Sequence, residues 1–524
     1  MALHTSITRI LTAVVLPLQL VVSSPAHWGP PKGHWQHNAA DLLVSTSSGN
    51  LQGYINETTP NVRQFLGVPF AQAPIGNLRW MPPTALPANQ SSASVDATKF
   101  GLSCPQFEGA SPSVYSTYVR ELLINGPNGE DCLSLSIWAP LYVNPKEKLP
   151  VVVWIYGGGL QTGGSSVPYQ DPSKWIERTK SHIVVSIQYR LNIFGFPNAP
   201  GLEAQNLGFL DQRAAVEWLR ENIAVFGGDP EQMILWGQSA GALSTDVYNY
   251  AYPDDPIVQG FICNSGNALL FPSVDDPTYS NFTFVASHFN CSSPSGSAED
   301  LLSCMRKVPA ADIESFLKSY SDSQAAPALS FSATVDNTIV FSNYTSRLLA
   351  GNVSSKPAIY GYTDIDTIAF VAFPADPLQE SANRTLAEIS FQSWICTTSA
   401  ISRYRTDIGL KTYQYQYRGN FSNISPLPWL GAYHSSELPL IFGTSGDFRG
   451  EDTRLEKQTS LAMQRAWGAF ARDPENGLER TGWGDSSEQE GEVFGGRSTY
   501  DEMGKNVAAQ FISLAGLAES CPVK

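Results

Sequence analysis

Runs of apolar, β-branched residues alternate with stretches of helical spacing along most of this chain. That alternation predicts a mainly parallel sheet covered by helices on both faces. Leu149-Pro-Val-Val-Val-Trp-Ile-Tyr156 and His182-Ile-Val-Val-Ser-Ile-Gln-Tyr189 are continuous enough to be strands buried on both sides. Between Asp211 and Phe226 the spacing turns helical, with Ala215, Leu219, Ile223 and Phe226 on one face and Glu217, Arg220 and Glu221 off it. Gly227-Gly228 is expected to stop this helix, and Asp229-Pro230 to turn the chain into the next strand. Thr412-Tyr-Gln-Tyr-Gln-Tyr417 alternates strictly and predicts a strand whose tyrosine stripe packs into the core. From Val44 to Val68, strand-like pieces broken by Gly49, Gly53 and Gly67 predict an antiparallel hairpin at the sheet edge. With no internal repeat and no long linker, residues 44–524 are expected to form one domain.

The first 26 residues depart from this pattern. His4 and Arg9 precede the apolar stretch Ile10 to Val22, and small residues follow at Ser23, Ser24 and Ala26. That is the layout of a secretory signal peptide, too short and wrongly flanked for a membrane anchor. Residues 27–43 read as a polar, disordered leader. His27, His34 and His37 lie there among Trp28, Trp35, Pro30 and Pro31, without the periodicity a closed metal site needs, so no metal is expected. N-x-S/T sequons at Asn56, Asn89, Asn281, Asn290, Asn343, Asn352, Asn383, Asn420 and Asn423 suit a secreted, extracellular glycoprotein. No second apolar span of membrane length follows. A formal charge of −15 repels phosphate backbones, which excludes nucleic acid as a natural partner.

Seven cysteines in an oxidising compartment leave at least one unpaired. Cys104 with Cys132 and Cys291 with Cys304 are the expected short-range pairs; closing the first loop stabilises by about 3.5 kcal/mol in the chain-entropy account. Cys263, in the apolar run Gly260-Phe-Ile-Cys-Asn, reads as an inert core thiol, and Cys396 and Cys521 either pair or stay free.

The chemistry begins at Ile234-Leu-Trp-Gly-Gln-Ser-Ala-Gly241, a G-x-S-x-G signature directly behind an apolar strand. A side chain at Gly237 or Gly241 would collide with neighbouring backbone on so sharp a turn, which makes Ser239 a candidate nucleophile. A serine hydroxyl needs a base within hydrogen-bond reach and an acid to orient that base. Of seven histidines, one lies in the signal, three in the leader, His182 begins a buried strand and His288 sits in a polar stretch. His434, in a loop after the tyrosine-rich strand, remains as the base. In the chain order serine, acid, histidine, the acid falls on Asp364 or Asp366, just past a predicted strand end. Tyr156-Gly-Gly-Gly-Leu160 lets the N–H groups of Gly158 and Gly159 approach a substrate, with Ala240 N–H completing a hole for the oxyanion. Losing one such donor costs about 3 kcal/mol of barrier.

With these residues in place the chain resembles the type-B carboxylesterase/lipase family, which includes cholinesterases, secreted fungal lipases and the non-catalytic neuroligins. The resemblance runs from about Val44 to Phe470. It rests on Phe65-Leu-Gly-Val-Pro-Phe-Ala71, Gly76-Asn-Leu-Arg79, Glu130-Asp-Cys-Leu-Ser-Leu135, Asn206-Leu-Gly-Phe-Leu-Asp-Gln-Arg213 and Phe226-Gly-Gly-Asp-Pro230. It implies an α/β-hydrolase fold with Ser239, His434, Gly158, Gly159 and Ala240 in the roles above. The family acid, usually glutamate, falls on Asp366, one methylene shorter, with Asp364 as the fallback. Gln238 stands where many members carry glutamate, removing a negative charge beside the base, and Leu160 replaces the common phenylalanine, implying a differently shaped pocket wall.

The Cys104–Cys132 loop matches the segment that forms a lid in lipase members. Here Tyr115, Tyr118, Val119, Leu122 and Leu123 fall close to one helical face, an amphipathic flap expected to be fixed or only modestly mobile. The loop contains no tryptophan of the kind that holds quaternary ammonium in cholinesterases, so choline esters are not the expected substrates. The expected activity is hydrolysis of carboxylic esters through an acyl-enzyme, without metal or organic cofactor. The rival expectations are an interfacial triacylglycerol lipase and a neuroligin-like binding protein.

Overall fold

The computed structural model describes residues 42–87, 92–144, 147–270, 276–291, 296–496, 505–514 and 521. The signal segment, all but the end of the leader with its three histidines, and the sequon Asn89 lie outside them. Residues Ala39–Lys524 gather into one contact unit.

Fourteen strands are described: β1 (Leu43–Thr46), β2 (Gly49–Gln52), β3 (Tyr54–Ile55), β4 (Val62–Pro69), β5 (Ser94–Asp96), β6 (Ser134–Pro140), β7 (Leu149–Ile155), β8 (Ile183–Ile187), β9 (Gly228–Gln238), β10 (Phe261–Asn264), β11 (Ala358–Thr363), β12 (Thr412–Tyr417), β13 (Glu490–Phe494) and β14 (Ala509–Ser513). Eleven of them make one sheet in the order β14-β13-β12-β11-β10-β9-β7-β8-β6-β4-β3. From β13 to β8 every pairing is parallel. The β3–β4–β6–β8 side is antiparallel, and its β3–β4 pair is the edge hairpin that the glycine-broken N-terminal segment predicts. The opposite edge also closes antiparallel, through β14 on β13. The β1–β2 hairpin belongs instead to a separate three-stranded sheet with β5.

Parallel strands carry helices on both faces, so their side chains are buried in both directions, and β7, β8, β10 and β11 read accordingly as apolar runs. In β12 the glutamines between the tyrosines, Gln414 and Gln416, are buried too, because helices cover that face as well. The amphipathic helix spans Leu207–Asn222 and tightens into a 3-10 turn, Ile223–Phe226, before Gly227 takes a left-handed φ of 92°. Asp229-Pro230 does not turn the chain. It lies inside β9, where the register jumps from Leu149↔Gly228 to Val151↔Met233 and the extra residues bulge out.

A buried ion pair ties this helix to the segment that leaves β8. Asp211 accepts from Arg190 Nε (2.8 Å), Nη2 (2.7 Å) and backbone N–H (3.0 Å), and both side chains are excluded from solvent. Two parallel bonds to one carboxylate, with Arg190 Nη1 spent on Met81 O at 2.8 Å, leave neither charge uncompensated. Replacing Asp211 by Ala is therefore expected to lower unfolding stability by about 3–5 kcal/mol by stranding the guanidinium, measured as the shift of the urea midpoint.

Candidate active site

Strand β9 ends at Gln238, and a helix, Ala240–Ala251, starts immediately behind it. Ser239 alone makes the turn, with φ 58° and ψ −125°, a backbone state that a non-glycine residue holds only under constraint. The constraint is visible in the glycines. A Cβ on Gly237 would lie 2.1 Å from Gly241 O, and one on Gly241 would lie 2.0 Å from Ile155 O. Ser239 N–H donates to Asn264 O at the end of β10 (2.8 Å), and Ser239 O accepts from Leu243 N–H in the helix (2.9 Å). The hydroxyl is thus presented at the carboxyl ends of the parallel strands, with the first N–H groups of the helix, Ala240 among them, free of intrahelical acceptors.

The glycine loop leaves the neighbouring strand β7 at the same level. Gly158 has φ 112°, and a Cβ there would meet Thr162 O at 2.2 Å; Gly159 has φ 65° and faces open space. Gly157, which the sequence reading passed over, is the point of closest approach: a Cβ on it would sit 2.8 Å from Ser239 Cβ and 2.7 Å from Gln238 O. The triple glycine was the available signal. Leu160 does not form the pocket wall expected of it. It is buried, with a left-handed φ of 61°, and its carbonyl accepts from Asn192 N–H at 2.8 Å.

His434 arrives from the loop beyond β12 and is almost fully buried. Its Nδ1 lies 2.7 Å from Asp366 Oδ1. Asp366 opens a 3-10 turn just past β11, and its other oxygen accepts from Thr363 N–H (2.9 Å) and Ser265 Oγ (3.0 Å). Ile365 N–H donates to Ala432 O at 3.1 Å, joining the acid's turn to the histidine's loop. The fallback Asp364 points away, accepting from Gln416 Nε2 at 3.1 Å and lying 3.8 Å from Arg418. The other described histidines stay apart. His182 is buried against Trp175, its pKa pushed down to about 3 by burial and then by Arg472 and Arg178, and His288 stacks on Phe316 at 3.9 Å.

Around the base stand Gln238, which the resemblance placed there, and Phe370, Trp394 and Glu437, which carried no sequence signal of their own. Gln238 Nε2 lies 3.1 Å from His434 Nε2, so the neutral amide replacing the usual glutamate contacts the base directly. Phe370 and Trp394 stand 4.8 and 5.2 Å from the imidazole, centroid to centroid. Glu437, three residues beyond the histidine, is fully buried and accepts from Asn264 Nδ2 at 3.4 Å. Burial, and then the Asp366 carboxylate, push it up to about 8, so it is mostly protonated at neutral pH and adds no full second charge behind the acid.

The expected amphipathic flap is not one helix. A capping box between Ser113 and Ser116 starts the turn Val114–Thr117, Val119 leaves helical geometry, and a 3-10 turn, Arg120–Leu122, follows. Cys104 and Cys132 close its base. Tyr115 OH donates to His434 O (2.9 Å), Arg449 pairs with Glu121, and Arg120 pairs with Glu108 at 3.0 Å. Flap and histidine loop are therefore one joined wall. The pocket they enclose, about 660 Å³, is lined by Ser239, His434, Gly157 to Gly159, Tyr115, Phe370 and Trp394. A second chamber of about 730 Å³ shares Phe107 and Gly159 with it.

Against known proteins, residues 40–406 match the profile of the Carboxylesterase family. The chain belongs to the carboxylesterase family. A chlorogenic acid esterase of Aspergillus niger is 46% identical over 446 residues, covering 84% of this chain and 85% of that one. Secreted lipase 5 of Gibberella zeae is 41% identical over 504 residues, covering 90% and 91%, and a cholinesterase of Mus musculus is 27% identical, covering 83% and 79%. This carboxylesterase is accordingly a carboxylic ester hydrolase with the α/β-hydrolase fold, and among its described residues no helix is long and apolar enough to cross a membrane. Three disulfides are formed: Cys104–Cys132, Cys291–Cys304 and Cys396–Cys521, with Cys263 buried and free. Of the described sequons, Asn56, Asn290, Asn343, Asn352, Asn383 and Asn420 are exposed and Asn281 is half-buried. Asn423 is buried, and its amide donates to Ser445 O at 3.0 Å.

The buried glutamate gives the carboxylesterase a pH signature. Unfolded, Glu437 ionises near its ordinary 4.5, whereas folded it holds its proton up to about 8. The folded state binds the extra proton between these values, so this group's contribution is fully present below pH 4.5 and is lost as pH rises through 8. Glu437→Gln is expected to make the fall in urea midpoint between pH 5 and pH 8 shallower than in the parent.

Proposed function

We propose that this carboxylesterase works through Ser239, His434 and Asp366, and the observation carrying the reading is the 2.7 Å His434–Asp366 contact in the pocket that also presents Ser239. His434 Nε2 takes the Ser239 proton as Oγ attacks the ester carbonyl, and the resulting oxyanion is held by the N–H groups of Gly158, Gly159 and Ala240. The imidazolium then protonates the departing alcohol. Water attacks the acyl-serine with His434 again as base, and Ser239 regains its proton. Asp366 keeps the imidazole in the Nδ1–H tautomer and stabilises its charged form. Gln238 amide must yield Nε2 to the serine when substrate enters. Side chains and backbone handle every proton in this scheme, so no metal or organic cofactor takes part.

The substrate class we favour is an ester with two bulky halves. The two chambers meeting at Gly159 give space on either side of a carbonyl held there, and Phe370 and Trp394 offer aromatic surfaces beside the base. An ester of an aromatic acid with a bulky polyol fits that description, in line with the relative named for chlorogenic acid. The pinned flap favours action on dissolved esters. One observation supports interfacial lipase action instead: Phe370, Leu378, Leu386 and Ile389 are 54%, 63%, 48% and 66% exposed, an unusual concentration of bare apolar side chains. We read residues 44–524 as a single catalytic domain acting outside the cell, which suits the disulfides and the secreted relative.

Ser239→Ala is expected to keep the parent's thermal unfolding curve and to lose hydrolysis of p-nitrophenyl acetate by about 10⁴-fold or more. With the parent enzyme, hydroxycinnamoyl esters are expected to give higher kcat/KM than emulsified long-chain triglycerides. Serine-independent turnover refutes the nucleophile, and a rate jump when an ester passes its solubility limit favours the lipase reading.

A further inference from the structure

One cleft remote from the reacting atoms is left unused by this chemistry. The β3–β4 connection, residues 56–61, carries the sequon Asn56-Glu-Thr58 and is held rigidly against the body: Asn61 donates through N–H (2.8 Å) and Nδ2 (2.6 Å) to the Glu177 carboxylate. Asn56 Oδ1 accepts from Thr58 N–H (3.0 Å) and Thr58 Oγ1 (2.9 Å). Its oxygen is thereby fixed, and Nδ2 remains for modification. Asn56 lines a cleft of about 320 Å³ whose walls include Asn125, Lys174 and Asp447. Phe100 and Phe448, 40% and 44% exposed, also line it. Apolar ring faces beside amides and an ion pair are the chemistry that holds a pyranose, whose C–H face packs on aromatic carbon while its hydroxyls and acetamido group hydrogen-bond.

We propose that Asn56 carries an N-linked glycan whose first N-acetylhexosamine is seated in this cleft as part of the folded protein. Attachment forms the bond from Asn56 Nδ2 to C1 of the sugar and breaks C1–O of a polyprenyl diphosphate-linked donor, with the Nδ2 proton released. The seat adjoins the active site. Val167 lines both the cleft and the catalytic pocket, and Phe448 packs edge-on against Tyr169 at 5.0 Å. The adjacent Arg449 donates to Tyr169 OH (2.6 Å) and pairs with Glu121 of the flap. A sugar filling the cleft braces the segment that clamps the flap.

The inference rests on the secreted destination proposed above. The test expresses the whole chain in a eukaryotic secretory host, maps sequon occupancy by mass spectrometry, and follows release of each glycan from the folded protein by a peptide N-glycosidase. Asn343 and Asn352, exposed beside the helix Tyr344–Leu349, are the internal references. The Asn56 glycan is expected to come off about tenfold more slowly than theirs, the ratio for a seat worth about 1.4 kcal/mol. Phe448→Ser, or Phe100→Ser should the first not fold, is expected to abolish the difference. A chain that never enters the secretory pathway overturns both readings. A secreted chain that is bare at Asn56, that releases this glycan as fast as the references, or that keeps the difference without the aromatic ring overturns this one alone.

Discussion

The whole site hangs on how closely four stretches of backbone approach one another around Ser239. Gly237 and Gly241 sit within van der Waals contact of each other's turn and of β7, and Gly157 comes up against the serine itself. Gly266, after β10, completes the set, since a Cβ there would lie 2.4 Å from Ser239 O. With side chains at these positions, β7 and the helix behind Ser239 could not share the same end of the sheet. The strained φ of Ser239 is affordable because strand pairing on both sides of β9 overdetermines it.

Burying ionisable groups beside that turn raises an electrostatic problem that the structure meets in two ways. Asp366 is compensated by donors: an imidazole on one oxygen, a backbone N–H and a hydroxyl on the other. Glu437, with weaker support, is held largely neutral. Farther out, Arg190 and Asp211 meet through a two-pronged pairing that satisfies both charges. The resulting pocket can stabilise one developing charge pair without competition from a second fixed anion next to the base. The neutral Gln238 in place of an acid has the same consequence.

The flap shows how helical spacing can overstate a helix while tertiary contacts decide how a segment is held. Its apolar residues do recur at helical intervals, yet Val119 breaks the helix and is buried, while Tyr115 and Glu121 fasten the segment to the histidine loop and to Arg449. A wall fastened through the carbonyl of His434 places the pocket's roof and its base under a common restraint. Opening it would disturb the imidazole as well.

What the sequence determined alone is whatever depends on neighbouring residues: the buried strands, the amphipathic helix, the antiparallel N-terminal edge, and the glycine-flanked elbow at Ser239. Each follows from short-range sterics and from periodicity, and each is legible without a partner. Tertiary structure decided everything that needs two distant segments to meet. Asp364 and Asp366 are both acids just past one strand, and only the arrival of the His434 loop, anchored by Ile365 N–H on Ala432 O, selects which of them faces the imidazole. The pairing of Cys396 with Cys521 across 125 residues, the aromatic rings of Phe370 and Trp394 beside the imidazole, and the raised pKa of Glu437 are of the same kind. Their physical cause is proximity and desolvation, which no local pattern encodes.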